Sequence, residues 1–165
     1  MTPIFKELIE HPPYTLIPLQ YNYFKACSMY NYSKLRIYGG NPAVLQVFAN
    51  TRIKLLVGIS NDQIPSLNQL VVAQNWVKDN IFPFVLATDI IGISMGNKVL
   101  FSGDKVLISQ LLPALKNLHI ALVETSLDQQ IRVSTPHSMA ILSTSAPPSA
   151  REKFWALQNR HENDI

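Results

Sequence analysis

The chain has 165 residues, of which 47% are hydrophobic and 15% charged. That balance excludes intrinsic disorder, which needs low hydrophobicity and high net charge. The formal charge of +3 arises from 14 Lys+Arg and 11 Asp+Glu scattered with no run of three basic residues, the pattern of a solvated surface. No nucleic-acid partner is expected, because such proteins cluster Lys and Arg on one face.

The length fits one domain. Cys27 is the single cysteine, which excludes an intrachain disulfide framework and a multi-cysteine zinc site. His11, His119, His137 and His161 share no metal-ligand spacing, so no metal or cofactor is expected. No window approaches the ~18 uncharged apolar residues of a membrane span. Glu7, Glu10, Pro12 and Pro13 interrupt the apolar stretch that a signal peptide requires, so no secretion signal is visible.

Residues 1–30 read as an atypical N-terminal segment. Pro3, Pro12, Pro13 and Pro18 break any long element, leaving one short helix near residues 5–9. Tyr21, Tyr23, Phe24 and Tyr30 crowd together and read as packing rather than a sugar-stacking surface. Regular alternation starts at Lys34-Leu-Arg-Ile-Tyr38 and ends at Gly39-Gly40, a strand and a turn. Asn41-Pro42 supplies an N-cap and a proline at the first helical position, predicting a helix over 43–49.

The run Ile53-Lys-Leu-Leu-Val-Gly-Ile59 predicts a strand covered on both faces. Leu67, Leu70, Val71, Trp76, Val77 and Ile81 recur at helical spacing over 65–81. Ile90 to Met95 is a second buried-type strand, followed by Gly96-Asn97-Lys98. Helical periodicity returns over 106–122, and Ile131 to Thr135 is a further strand. Pro147-Pro148-Ser149 ends the pattern, and 151–165 reads as a polar tail with helical character.

Strands alternating with helices of this length imply right-handed crossovers and a parallel sheet. The pattern fits a β/α barrel or an open doubly wound sheet equally. In a barrel, the C-terminal strand ends build the active site. Here those ends carry Tyr38, Asn61, Asn97, Lys98 and His137. Gly92-x-x-x-Gly96-Asn97-Lys98 is not a phosphate loop, because the spacing is one short and Val99 stands where Ser or Thr is needed. Ser138 beside His137 has no G-x-S-x-G elbow around it.

Several stretches in fixed order carry a resemblance. They are Lys34-Leu-Arg-Ile-Tyr38, Val47-Phe-Ala-Asn-Thr51, Leu55-Leu-Val-Gly-Ile59 with Asn61, Gln74-Asn-Trp-Val77 and Ile91-Gly-Ile-Ser-Met-Gly-Asn97. They continue through Leu112-Pro-Ala-Leu-Lys-Asn-Leu-His119 and Ile131-Arg-Val-Ser-Thr-Pro-His-Ser138 to Pro147-Pro-Ser149. From residue 33 to about 150 the chain resembles glycoside hydrolase family 17, the plant glucan endo-1,3-β-glucosidases.

The resemblance implies an incomplete (β/α)8 TIM barrel over 31–150, spanning strands two to five with their helices. It also implies retaining hydrolysis of β-1,3-glucan, and an extracellular, cell-wall or membrane-anchored setting. Arg36, Tyr38, Asn61, Asn97 and His137 match positions that bind sugar or support the catalytic glutamates. Asn31-Tyr32-Ser33 is an N-glycosylation acceptor pattern that acts only on a secreted chain.

Departures from the family bear on activity. In the family a glutamate follows the Gly-Asn of the fourth strand and serves as general acid/base; here that position is Lys98. A retaining glycosidase needs two carboxyl groups about 5–5.5 Å apart. An ammonium is a poor acid near neutral pH and adds positive charge beside an oxocarbenium-like transition state. The nucleophile sits on the family's seventh strand, beyond the fifth, which is the last expected here, and Gly39 replaces an aspartate. No first strand is expected in 1–30.

The expectation is therefore a truncated family member without turnover, a non-catalytic β-1,3-glucan-binding remnant, or a fragment with no biochemical role. Its open sheet edges near residues 34 and 131 would favour self-association. Its inner face would include Ile37, Leu56 or Val57, Ile93 and Val133, with 1–30 as a candidate cover.

Overall fold

The computed structural model describes residues 33–138 in full and, outside them, the backbone of 6–8, 142–144 and 153–154. The aromatic cluster at 21–30, Cys27, Asn31 and Trp155 lie outside the described residues.

Each apolar run forms the element its period demands. The strands are β1 (Lys6–Leu8), β2 (Lys34–Ile37), β3 (Lys54–Ile59), β4 (Ile90–Met95) and β5 (Arg132–Ser134). Between them lie helices α1 (Pro42–Val47), α2 (Leu70–Asn80) and α3 (Lys105–Glu124). Asn41 caps α1 as expected, its side-chain oxygen accepting from the amide of Ala43 at 2.9 Å with Pro42 at the first turn. Asp104 caps α3 through Oδ1, which accepts from the amides of Val106 and Leu107 at 3.0 Å each.

The expected helix over 65–81 is split into a short 3-10 turn, Ser66–Asn68, and α2. Gln69 between them has extended backbone (ψ 120°), which breaks the helical ladder. Two further expectations are corrected. The segment near residues 5–9 is a strand, not a helix, because it pairs with β2 and takes its main-chain bonds from the sheet. A first strand is therefore present, and β2 is not an edge. In the tail, Lys153–Phe154 is a strand that pairs antiparallel with Leu142–Thr144, not helix.

The five strands are all parallel and stand in chain order, β1-β2-β3-β4-β5. A doubly wound sheet reverses its order at a switch point. Without a reversal, crossovers of one hand return every helix to the same face, as in a β/α barrel.

Burial agrees. Ile37, Val57 and Ile93 share one register level and are at most 3% exposed. They join Leu45 and Phe48 at α1, Ala73 and Val77 of α2, and Leu111 and Leu118 of α3 in one core. Ile37 and Ile93 thus point with Val57 into the helix-covered layer, with Val133 packed against it, rather than to the inner face as expected; of the alternatives Leu56 and Val57, Leu56 takes the inner face. Alternation decides this, since one face of each strand must meet the helices. The opposite face aligns Arg36, Leu56, Gly92 and Arg132 across β2 to β5.

By length and composition α3 meets the criterion for crossing a membrane, with mean hydropathy 1.5 over 18 residues, contrary to the expectation from sequence. Its Leu111, Ala114, Leu118, Ala121 and Leu122 are buried, the stripe of a core helix. Polar bonds tie it down alongside: Asn117 Nδ2 donates to the Leu67 carbonyl (3.0 Å), and Gln74 Nε2 to Glu124 Oε2 (2.6 Å).

Candidate functional site

Parallel pairing brings the C-terminal ends of β2 to β5 to one rim. Main-chain bonds tie these ends together beyond the strands themselves. The Gly39 amide donates to the Gly58 carbonyl (3.1 Å), Gly96 to Ile59 (2.7 Å) and Lys98 to Pro136 (3.3 Å).

The turn after β4 is the centre of the rim. Gly96 has φ +68°, and a Cβ there would meet Val99 Cγ2 at 2.5 Å and Asn61 Oδ1 at 2.8 Å. Only glycine fits both the backbone and the space. Lys98 is also left-handed, at φ 53° and ψ 31°, an uncommon state for a side chain of its size. Asn61 holds the turn from β3's side. Its Oδ1 accepts from the Asn97 amide at 2.6 Å, and its Nδ2 donates to the Asn97 carbonyl at 3.2 Å. A primary amide matches a peptide group in shape and polarity, which is why one side chain serves both atoms.

Arg36 lies beneath the rim and is 7% exposed. Its Nη2 donates to the Gly96 carbonyl (3.4 Å), and its guanidinium carbon sits 4.7 Å from the Tyr38 ring centroid. β3 lies between Arg36 and Gly96, and at that level it presents Gly58. A side chain there would meet the Ile37 carbonyl at 2.8 Å. His137 follows Pro136, whose carbonyl receives the Lys98 amide, and is exposed.

The structure thus brings Arg36, Tyr38, Asn61, Asn97 and Lys98 into one bonded group and places His137 at its margin. Asn61 is engaged with the backbone of Asn97 on both sides of its amide. Asn97 and Lys98 leave their side chains exposed. Gly58 and Gly96 are structural members of the site that residue-type reasoning passed over, since neither carries chemistry. The one signal for Gly96 was a Gly-Asn pair at the end of a strand.

The rim can hydrogen-bond neutral polar groups and attract negative charge. Of the carboxylates nearest in sequence to these turns, Asp62 is exposed on the 3-10 turn Asn61–Gln63, and Asp104 is occupied as the α3 cap.

Comparison with known proteins agrees with this geometry. The model for glycosyl hydrolases family 17 matches residues 17–157. A glucan endo-1,3-beta-D-glucosidase of Olea europaea is 48% identical over 118 residues, covering 71% of this chain and 26% of the relative. Glucan endo-1,3-beta-glucosidase 11 of Arabidopsis thaliana is 40% identical, covering 73% and 28%.

Among solved structures, a beta-1,3-glucanase and allergen of Cryptomeria japonica pollen superposes with a TM-score of 0.76. It is 37% identical, with 86% of this chain and 45% of the other covered. A plant beta-glucan endohydrolase structure gives a TM-score of 0.71 at 33% identity, covering 82% and 42%. The chain spans about a quarter of the length of these curated relatives. It belongs to glycosyl hydrolase family 17, and its parallel sheet is part of that family's TIM barrel.

Proposed function

We propose that this chain binds β-1,3-glucan along the strand-end rim and does not hydrolyse it. The observation that carries the reading is the Asn97-Lys98 turn. It stands at the C-terminal end of β4, where the resemblance puts the acid/base glutamate, and it presents an ammonium. Retaining hydrolysis needs a carboxyl group that first protonates the leaving oxygen and then takes a proton from water. An ammonium has no second role as a base while it keeps its proton, and its charge opposes that of the transition state.

Binding asks less of the site. Asn97 and Tyr38 offer hydrogen-bonding groups, His137 offers another at the margin, and Asn61 with Arg36 hold the turn in place. The name of the Olea europaea relative supports β-1,3-glucan as the ligand.

The test is a pair of measurements on the purified chain. Laminarin incubated with it should release no reducing ends above the blank. Titration with laminari-oligosaccharides should give a saturable heat that Asn97→Ala weakens about tenfold, the size of one hydrogen bond to a sugar. Released reducing ends would overturn the non-catalytic reading, and a flat titration would overturn binding.

A further inference from the structure

We infer that Phe101 is the apolar platform of the rim, on which a glucosyl ring of the β-1,3-glucan lies face to face; this deepens the glucan reading above and rests on it.

The turn after β4 continues beyond Lys98 into the 3-10 turn Val99–Phe101, and Ser102-Gly103-Asp104 joins that turn to α3. The stretch is hydrogen-bonded throughout. The Phe101 amide donates to the Lys98 carbonyl (3.0 Å), and the Ser102 amide to the Val99 carbonyl (3.1 Å). Ser102 Oγ donates to the same Val99 carbonyl at 2.8 Å and accepts from the Asp104 amide at 3.2 Å. Asp104 in turn caps α3.

This framework fixes Phe101 relative to the polar part of the rim. Val99 is fully buried and fills the space that a Cβ on Gly96 would need. On the other side of Gly96, Asn61 clamps the backbone of Asn97. A 3-10 turn has three residues per turn, so its side chains leave in three directions, and burying Val99 keeps its two neighbours out of the core. Leu100 and Phe101 are accordingly exposed, Phe101 to 58%, and Val106 at the start of α3 is exposed as well. Polar residues at these positions would avoid the cost of hydrating apolar surface. Instead, large apolar side chains directly follow the hydrogen-bonding Asn97, the combination of apolar surface and polar border that marks a ligand groove.

A β-glucosyl ring has that same division. Its hydroxyls stand around the edge, and its two faces carry only C–H groups. The edge needs hydrogen-bonding partners, which Asn97 offers, and a face needs a flat apolar surface. Two aromatic rings lie on or beside the described rim, Tyr38 and Phe101. The Tyr38 ring already holds the Arg36 guanidinium, 4.7 Å from its centroid. Phe101 is the ring left to take the sugar face.

The experiment titrates the folded 165-residue chain with laminari-oligosaccharides, as the parent and as Phe101→Ala, Phe101→Trp and Leu86→Ala. Leu86 is 99% exposed in the segment leading into β4, at the opposite end of the sheet from the rim, and controls for loss of any exposed apolar side chain. All three positions of change are at the surface, so circular dichroism should match the parent. Phe101→Ala should weaken binding about tenfold, the size of one aromatic stacking contact. Phe101→Trp should bind at least as tightly as the parent. On saturation its added emission should shift to the blue and become shielded from acrylamide. Leu86→Ala should bind as the parent does.

An affinity of Phe101→Ala equal to the parent's would overturn the inference and leave the glucan reading standing. Equal weakening by Leu86→Ala, or an added tryptophan as open to acrylamide with sugar as without it, would overturn it too. A parent chain that gives no saturable binding would overturn the glucan reading itself, and this inference with it.

Discussion

Asn61 holds Asn97 by both atoms of its peptide environment, accepting from the amide at 2.6 Å and donating to the carbonyl at 3.2 Å across 36 residues of sequence. One side chain thereby couples the end of β3 to the turn after β4. Replacing Asn61 by alanine leaves both main-chain groups without that partner. The expected loss is about 1–3 kcal/mol in urea unfolding, the cost of orphaned polar groups. Amide exchange at Asn97 should speed up together with it. Asn61→Asp keeps the acceptor and lacks the donor, so its loss should be smaller. An unchanged midpoint in Asn61→Ala would show that water replaces the clamp at no cost.

Gly96 is the second element of the same turn. Alanine there combines a backbone at φ +68° with a Cβ 2.5 Å from Val99 Cγ2. Val99 is fully buried and has little room to move. Gly96→Ala should lower stability by about 2 kcal/mol or more, beyond the typical surface substitution. A chemical-denaturation midpoint within error of the parent would contradict the geometry.

The core makes a prediction independent of the rim. Phe48 caps α1 and is fully buried among residues from the sheet and helices. Phe48→Ala should cost about 3–5 kcal/mol, since it removes a ring and leaves a cavity. Val71, 64% exposed on α2, is the matched control, and Val71→Ala should stay within about 0.5 kcal/mol. Thermal melts of the two variants side by side separate core loss from general sensitivity to substitution.

The sheet was legible in the sequence wherever a strand is buried on both faces. Residues 53–59 and 90–95 read as strands because continuous apolar runs permit little else. The cap at Asn41-Pro42 and the long period of α3 were equally plain. What could not be read was pairing. Lys6–Leu8 is too short and too polar to announce a strand, and it becomes one only because β2 offers an edge. The facing of Ile37, Ile93 and Val133 was missed for a related reason. Period-two alternation tells which residues share a face, but not which face the helices cover. At the rim, residue types marked Asn61, Asn97 and Lys98. That Asn61 grips a backbone across the sheet depends on register, which no local pattern encodes.

Spatial order equals chain order in this sheet, and that sets how the fold is assembled. No strand waits for a distant partner to be threaded between two neighbours already paired. Each strand–helix unit docks onto the edge left by the one before it. The longest ladder, between the six-residue β3 and β4, joins segments separated by a single crossover. Loop closure for pairings between chain neighbours is modest, and the rim is completed as each strand end arrives beside its neighbour.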